Sequence, residues 1–192
     1  EDSPGVQSFV QALSGMRPAD SVRFQTLNSL PTPDKLSTDT RLILLDLPSL
    51  DWRLQEVQGP PTLVLRISRL QAHQRFGADF VRHLSLLWSD PPLDRQLRLT
   101  RLILPEARRI GVLYDSHSEF LLKELRRSAQ AMGLEVIAER WDDTNDSRPL
   151  QDLLRNCDVL LGLDDAELYN PKTAKNLLLS SYARQLALIG PN

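Results

Sequence analysis

The stretch RRIGVLYDSHSEFLLKELRRSAQAMG, from Arg108 to Gly133, decides the fold. A short apolar run, Ile110 to Tyr114, stops at Asp-Ser-His-Ser, and a segment with helical periodicity begins at once. A strand that leads directly into a helix places the free N–H groups of the helix start at the carboxyl edge of a sheet. Such an edge is a common place to hold a polar or anionic group. The junction therefore predicts a βα unit whose polar residues are either a helix cap or part of a binding site.

The same alternation of strand and helix continues on both sides of this junction. In the first half, a helix opened by Asp-Ser-Pro and closed by Gly15 precedes extended segments at 22–27, 41–47, 61–67 and 83–90. From Asp90 onward the pattern is more regular. It predicts a proline-led helix ending at Pro105, strand 109–114, helix 118–132, strand 134–140, helix 147–155, strand 158–163, helix 171–184 and strand 186–189.

Strands that alternate with helices indicate βαβ units, parallel sheets and right-handed crossovers. Because the pattern restarts near Asp90, we predict an α/β protein with two Rossmann-like lobes, residues 1–89 and 90–192, hinged at Trp88, Ser89 and Asp90. The chain opens on a helix without a preceding strand and closes on a strand without a return crossing. We therefore expect each lobe to be incomplete, the first at its start and the second at its end.

Composition excludes several classes of function. The formal charge of −2 and the pI near 5.9 offer no electrostatic footprint for nucleic acid. No apolar run reaches the roughly 18 residues that span a bilayer. The single cysteine, Cys157, excludes an internal disulfide, and the three histidines, His73, His83 and His117, lack the spacing of a zinc helix. We therefore expect no metal site and no cofactor.

No catalytic signature is present in the sequence. It contains no G-x-S-x-G elbow, no phosphate-binding G-x-x-x-x-G-K-[ST] loop and no G-x-G-x-x-G. Ser116, His117 and Ser118 are adjacent, but adjacent side chains on a turn point in different directions and do not form a triad. Acidic pairs at 142–143 and 164–165 stand at strand ends beside helix starts, where aspartate caps a helix and complements its dipole. We therefore predict a protein without catalytic activity.

One alternative is a receiver-like domain of the response-regulator kind. In RLILLDLPSLD, Asp46 has the position of a phosphoacceptor, and Glu1 with Asp2 would be the acidic pair that holds magnesium. Ser68 would be the switch hydroxyl after the next strand. However, no lysine lies between Lys35 and Lys123, so the expected lysine on a fifth strand is absent. This reading also leaves the second half of the chain unexplained.

The second half resembles a family of ABC-transporter substrate-binding proteins that includes tryptophan- and tyrosine-binding members. The resemblance is carried by DPPLDRQLRLTRLILPEARRIGVLYDSHSEFLLKELRRSAQAMGLEV and by NCDVLLGLDDAELYNPKTAKNLLLSSYARQLALIGPN. A proline-led helix ends in Leu-Pro-x-Ala-Arg and leads into IGVLY, and DVLLGL is followed by two aspartates. EDSPGVQSFVQAL is similar to the family's first loop and helix. The match is good over 90–192, is weaker over 1–89, and implies the type I periplasmic binding protein fold.

The resemblance implies an extracytoplasmic receptor of an ABC uptake system. Its small, amino-acid-like ligand would lie between the two lobes and be delivered to a membrane permease. The protein would be periplasmic or otherwise extracytoplasmic, with a lipid anchor in its full-length form. Helix starts would hold the ligand carboxylate and aromatic groups would pack on it. Carried over by position, the ligand-binding candidates are Glu1, Asp2, Ser3, Asp46, Ser49, Ser116, Ser118, Trp141, Asp164 and Asp165.

Two segments depart from the small residues expected of a ligand loop. DLPSLDW is bulky and acidic, and ISRLQAHQRF is bulky as well. A cleft crowded in this way favours a second interpretation, in which a degenerate binding-protein fold serves as a protein-interaction module of the cell envelope. Sequence alone leaves both interpretations open.

Overall fold

The structure, a computed structural model, describes residues 2–77 and 81–191. The chain divides into two compact units, Glu1–Leu65 with Phe80–Leu87 and Arg66–Asp79 with Trp88–Asn192. One of the crossings between them, Leu87 to Trp88, falls close to the expected boundary at residue 89. The segment 66–79, which the sequence analysis assigned to the first lobe, is grouped with the second unit instead.

The first unit contains helices α1 (Pro4–Met16) and α2 (Leu47–Arg53) and a three-stranded sheet. The sheet has the order β1 (Leu42–Leu44), β2 (Thr62–Ile67) and β3 (Leu84–Trp88), and β1 runs parallel to β2. Ser3 caps α1, since its hydroxyl accepts a hydrogen bond from the Val6 N–H, and Pro4 fits the first helical position.

One expectation for this half of the chain is wrong, and two segments contain helices that the sequence analysis did not predict. Residues 22–27 form no strand; they run in irregular structure to a 3₁₀ turn, Leu27–Ser29. Their apolar side chains are half-buried, which means that one face of the segment is covered. An extended segment with one covered face shows the same apolar–polar alternation as a strand, whether or not it pairs with another strand. The two bulky segments contain the helices α2 and α3 (Arg69–Phe76). Both helices are too short to show a clear 3.6-residue period, although each carries a capping residue, Asp46 and Ser68.

The second unit is built around a parallel four-stranded sheet. In chain order it contains α4 (Leu93–Ile103), β4 (Arg109–Tyr114), α5 (Leu121–Ala131), β5 (Glu135–Arg140), α6 (Arg148–Asn156), β6 (Val159–Leu161), α7 (Pro171–Ala183) and β7 (Ala187–Ile189). The strand order is β5-β4-β6-β7, and each neighbouring pair is parallel. The predicted elements of this half are all present, with ends that differ by up to three residues. No helix among the described residues has the length and apolarity needed to cross a membrane.

The sheet of the second unit is covered on both faces. Ile110 and Val112 of β4 pack in one cluster with apolar side chains of α4 and α5, whereas Leu113 packs in a second cluster with α6 and α7. All three side chains are completely buried. A strand that is buried on both faces requires a continuous apolar run, which is why Ile110 to Tyr114 lacks polar alternation.

The strand order places a topological switch point between β4 and β6. From β4 the chain crosses through α5 to β5 on one side, then returns through α6 to β6 on the other side. The loops that follow β4 and β6 therefore diverge at the carboxyl edge of the sheet. In open α/β sheets, this divergence forms the crevice that holds ligands.

Asp158 joins the start of β4 to the start of β6, and we predict a measurable loss of stability in Asp158→Asn. Its carboxylate accepts hydrogen bonds from the Arg108 and Arg109 N–H groups and pairs with the Arg109 guanidinium at 2.9 Å. These contacts lower the pKa of Asp158 from 3.8 to about 2. The expected loss is about 1–2 kcal/mol at pH 7, with allowance for partial exposure.

The pH dependence of this effect has a definite sign. Because the folded pKa of Asp158 is depressed, its stabilisation is present above the ordinary value of 3.8 and disappears as the pH falls towards about 2. Urea unfolding of wild type and Asp158→Asn at pH 7 and pH 3 measures the difference. Equal differences at the two pH values would contradict the assignment.

Candidate functional site

The loop after β4 is organised by the carboxylate of Asp115. One of its oxygens, Oδ1, accepts hydrogen bonds from the N–H groups of His117 (2.7 Å) and Ser118 (3.1 Å). The Ser118 hydroxyl in turn accepts from the Asp115 N–H, and the His117 ring lies 3.3 Å from the second oxygen, Oδ2. Burial raises the pKa of Asp115, but these hydrogen bonds outweigh it and keep the pKa below its ordinary value. The Asp115 carboxylate is therefore the anion that these N–H groups bind.

The expected ligand carboxylate has no place at the His117 and Ser118 N–H groups. Helix α5 begins at Leu121, three residues beyond the Ser118 at which the sequence predicts its start, and no side chain caps it. The Glu119 N–H donates to the Asp115 carbonyl, and the Leu121 N–H donates to the Ser118 carbonyl. The N–H groups predicted to hold a ligand carboxylate are therefore taken up by the loop itself.

The loop after β6 carries two buried oxygen atoms without a hydrogen-bond partner among the described residues. They are Oδ2 of Asp165 and Oη of Tyr169. Asp165 is 2% exposed, and its other oxygen accepts from the Glu167 N–H at 3.1 Å. The Tyr169 ring lies against Gly162, where an added Cβ would come within 3.2 Å of the ring. Buried polar atoms are nearly always paired, so two orphaned oxygens in one loop indicate a site that is completed by something else.

Groups of the loop after β4 shift the pKa of Asp165, which lies in the loop after β6. Burial raises the pKa of Asp165, the nearby Ser118 hydroxyl opposes that rise, and the charge of Asp115 adds to it. Burial and the charge of Asp165 both raise the pKa of Tyr169. Of the predicted residues, Ser118 and Asp165 are therefore brought together in the second unit. Tyr169 was not predicted; its only sequence signal is its position in the loop that follows β6.

Asp164 faces the start of α3. Burial and the charge of Asp90 raise the pKa of Asp164, and the Ser68 hydroxyl lowers it. Asp90 itself is paired, because it accepts hydrogen bonds from the Arg69 N–H (2.8 Å) and from Nε of Arg69 (2.7 Å). Among the described residues, neither Asp164 nor Asp165 forms an ion pair with a lysine or arginine. Asp165 is buried and Asp164 is half-buried. The charge of Asp165 contributes to a raised pKa of His117.

The predicted hinge residues are tied to the start of α3. Trp88 ends β3 and is 41% exposed, and the Ser89 N–H donates to the Ile67 carbonyl. Asp90 is buried by its pair with Arg69. A hinge role for Trp88, Ser89 and Asp90 remains a prediction.

The candidates of the first unit are engaged at helix starts. Ser3 caps α1, and an Asp2 oxygen accepts from the Gln7 side chain at 2.6 Å. Asp46 caps α2 by accepting from the Ser49 N–H at 2.9 Å, and the Ser49 hydroxyl donates to the Asp46 carbonyl. Glu1 lies outside the described residues. Capping and ligand binding use the same residue types, so a ligand role for these side chains stays a prediction.

Trp141 is a core residue that borders a surface depression. It is 1% exposed, and its indole N–H donates to the Asp146 carbonyl at 2.7 Å. The depression, of about 370 Å³, lies at the carboxyl ends of β4 and β5 and is lined by Asp115, Ser116, His117, Arg140, Trp141, Asp142, Thr144, Glu167 and Leu168. The buried ring serves packing, and its role as an aromatic ligand contact stays a prediction.

Metal chemistry has no visible basis in the part of the chain that the structure describes. No group of three histidine, cysteine, aspartate or glutamate side chains is placed to hold an ion there. Cys157 is buried, and burial raises the pKa of its thiol, which makes it a poor nucleophile.

Ser118 and Ser116 allow a matched test of the loop after β4. Ser118 is completely buried and bonded to Asp115, whereas Ser116 is exposed. We expect Ser118→Ala to lower the free energy of unfolding by about 1–3 kcal/mol, because the Asp115 N–H loses its acceptor. Ser116→Ala is expected to change it by less than about 0.5 kcal/mol. Urea unfolding curves of the two variants decide this, and equal losses would contradict the internal cap.

Comparison with known proteins identifies the fold. No protein-family model and no curated protein matches the sequence. Among solved structures, the chain is similar to a ligand-free, open substrate-binding protein with adhesive properties from Clostridium difficile, with a TM-score of 0.61 and 19% identity. It is also similar to an ABC domain in complex with L-Trp from Streptococcus pneumoniae, with a TM-score of 0.55 and 16% identity. A conserved domain protein from Vibrio cholerae O1 biovar El Tor has a TM-score of 0.57 and 16% identity.

These similarities confirm the predicted fold class, α/β with parallel sheets, and the predicted resemblance to substrate-binding proteins at the level of the fold. The matches cover 78% of this chain for the Clostridium and Vibrio structures and 99% for the Streptococcus structure. The chain spans 52% of the first two structures and 62% of the third.

Proposed function

We propose that this chain belongs to an extracytoplasmic solute-binding protein. It holds a small, amino-acid-like solute and delivers it to the membrane permease of an ABC uptake system, without catalysis. The observation that carries the proposal is the pair of orphaned oxygens, Asp165 Oδ2 and Tyr169 Oη, at the switch point between β4 and β6. The crevice at such a point is where this class of sheet binds ligands. The similarity in fold to substrate-binding proteins adds support.

The same observation bears on the solute. An α-amino group donates up to three hydrogen bonds and carries a positive charge, so it would satisfy both orphaned oxygens. A neutral sugar would satisfy them without relieving the buried charge of Asp165. Amino-acid-like solutes are therefore the first class to test.

A thermal-shift screen of the purified protein against the twenty L-amino acids tests the proposal. A solute present at a hundred times its Kd stabilises the folded state by about 2.7 kcal/mol. For a domain of this size, that energy raises Tm by several degrees. Absence of a shift with every amino acid would overturn the proposal for this chain.

A second candidate function is a protein-interaction module of the cell envelope. It is favoured by an exposed apolar strip on α7, where Leu178 is 56%, Leu179 58% and Tyr182 84% exposed. Exposed apolar clusters are one mark of a protein-interaction surface. Two results together would favour this function. The solute screen would be negative, and the sedimentation coefficient would rise with protein concentration in the wild type but not in Leu179→Asp.

No observation favours the receiver-like alternative. Asp46 is the cap of α2, and the sheet that contains β1 has three strands in the described chain. Intact-mass measurement after incubation with magnesium and acetyl phosphate is expected to show no phosphoryl adduct. A phosphoryl adduct that forms on the wild type but not on Asp46→Asn would support the receiver-like hypothesis.

A further inference from the structure

The carboxyl edge of the second sheet is poorly suited to an anionic group. Oδ1 of Asp115 occupies the His117 and Ser118 N–H groups, and Oδ1 of Asp165 occupies the Glu167 N–H. A solute carboxylate would therefore find these donors taken and would also meet the negative charges of the two aspartates. Like charges at close range in a buried site raise the energy of the complex.

The same edge is well suited to a cation. Asp165 is 2% exposed, and its Oδ2 has no partner among the described residues. The Tyr169 Oη is orphaned as well, and the charge of Asp165 contributes to the raised pKa of Tyr169. A buried carboxylate without a counter-charge is unfavourable, and a cation that donates to it removes the penalty. Asp164, the preceding residue, adds a second carboxylate that forms no ion pair with a lysine or arginine in the described chain.

The Arg69 guanidinium pairs with carboxylates, one of which, Asp90, interacts electrostatically with Asp164. Nε of Arg69 donates to Asp90 at 2.7 Å, and its Nη1 lies 3.2 Å from a Glu124 oxygen. The Arg69 side chain is only 13% exposed. The His73 ring of the same helix stacks on Phe120, with 3.8 Å between the ring centres. Arg69 satisfies Asp90 and Glu124 and leaves Asp165 unpaired.

We propose that the solute carries a net positive charge and that its ammonium or guanidinium group is bound by Asp165, with Tyr169 and Asp115 beside it. This inference rests on the proposed function and narrows its ligand class to amines and guanidines. The cation donates to Oδ2 of Asp165 and to Oη of Tyr169, which are the two atoms that lack partners. Leu168, the residue before Tyr169, lines the surface depression together with Asp115 and Glu167, and the proposal has the solute arrive from that side.

Calorimetric titration of the wild-type chain with matched solutes tests the charge requirement. L-Arginine and citrulline have nearly the same shape, as do L-lysine and norleucine, and each pair differs by one positive charge. We expect the cationic member of each pair to bind at least ten-fold more tightly. Tighter or equal binding of citrulline, norleucine or tryptophan would overturn the inference and leave solute binding intact. Absence of binding by both members of each pair, and by tryptophan, would overturn the proposed function and the inference together.

Variants locate the cation. Asp165→Asn keeps the shape of the side chain and removes its charge, and we expect it to weaken L-arginine binding at least ten-fold while leaving any citrulline binding unchanged. Tyr169→Phe should cause a smaller loss. Asp94→Asn, an equal charge change on the exposed face of α4, is the control and should have no effect. Equal losses for L-arginine and citrulline in Asp165→Asn would place the α-amino group, which both solutes share, at Asp165 and would overturn the inference.

Discussion

Replacing Arg53 by alanine is expected to lower the free energy of unfolding by about 2–5 kcal/mol. Arg53 is completely buried in the first unit, and its guanidinium donates to the Thr62 hydroxyl (2.9 Å) and to the Glu56 (2.7 Å) and Pro60 (3.2 Å) carbonyls. These hydrogen bonds hold the segment between α2 and β2 in place.

Two effects of this substitution oppose each other. Burial lowers the pKa of Arg53, which shows that holding its charge in the interior has a cost that alanine would remove. However, alanine also opens a cavity the size of an arginine side chain and leaves the Glu56 carbonyl without its donor, and each of these is worth about 1–3 kcal/mol or more. The loss of packing and hydrogen bonds therefore dominates.

Gly59 supplies an internal check on this assignment. A Cβ at Gly59 would clash with the Arg53 guanidinium group, so Gly59→Ala alone should cost about 1–3 kcal/mol. In the Arg53→Ala background that clash is absent, and the same change should cost less than about 0.5 kcal/mol. Urea unfolding of the single and double variants measures the coupling, with the exposed Arg41→Ala as a control. Additive losses would contradict the packing of Arg53 on Gly59.

Gly111→Ala is expected to destabilise the second unit by about 1–3 kcal/mol. Gly111 lies in β4 at the centre of the sheet, and an added Cβ would come within 2.6 Å of Cys157 Sγ and 3.2 Å of Leu153 Cγ. Both neighbours are buried, and the close-packed interior leaves them little room to move. The helix α6 would have to shift away from the sheet.

Gly15→Ala is the matched control for this prediction. Gly15 lies near the end of α1 with no atom within 4 Å of an added Cβ. Because alanine favours the helix over glycine, this change should stabilise the protein by about 0.5–1 kcal/mol. The two variants should thus move the midpoint of urea unfolding in opposite directions. A Gly111→Ala midpoint equal to that of the wild type would show that β4 and α6 are not in contact at this position.

The second half of the fold could be predicted because its signals are local. The apolar run at Ile110–Tyr114 and the proline at the start of α7 act within a few residues, and the glycine at 133 adopts a positive φ of 70° just after α5. The first half was predicted less well for the same reason. Residues 22–27 have the alternation of a strand, but a strand also needs a partner, which no local pattern supplies.

The candidate site could be predicted only in part. The loops after β4 and β6 follow from the rule that parallel sheets bind ligands at their carboxyl edge, and Ser118 and Asp165 lie in those loops. Their hydrogen-bond partners do not follow from the sequence. Serine and aspartate after a strand serve equally well as cap and as ligand contact, and Asp115 was found to occupy the N–H groups that a ligand carboxylate would need.

The sequence by itself determined the order of strands and helices in the second unit, the parallel sheet and the general position of the crevice, since periodicity and capping depend on neighbouring residues. Only the tertiary structure decided which side chains meet there. The strand order sets β4 beside β6, so that residues fifty positions apart, Asp115 and Asp165, share one buried environment. Burial then leaves Asp165 and Tyr169 each with an unpaired oxygen, because desolvation and hydrogen-bond partners depend on distance in space and not on distance along the chain.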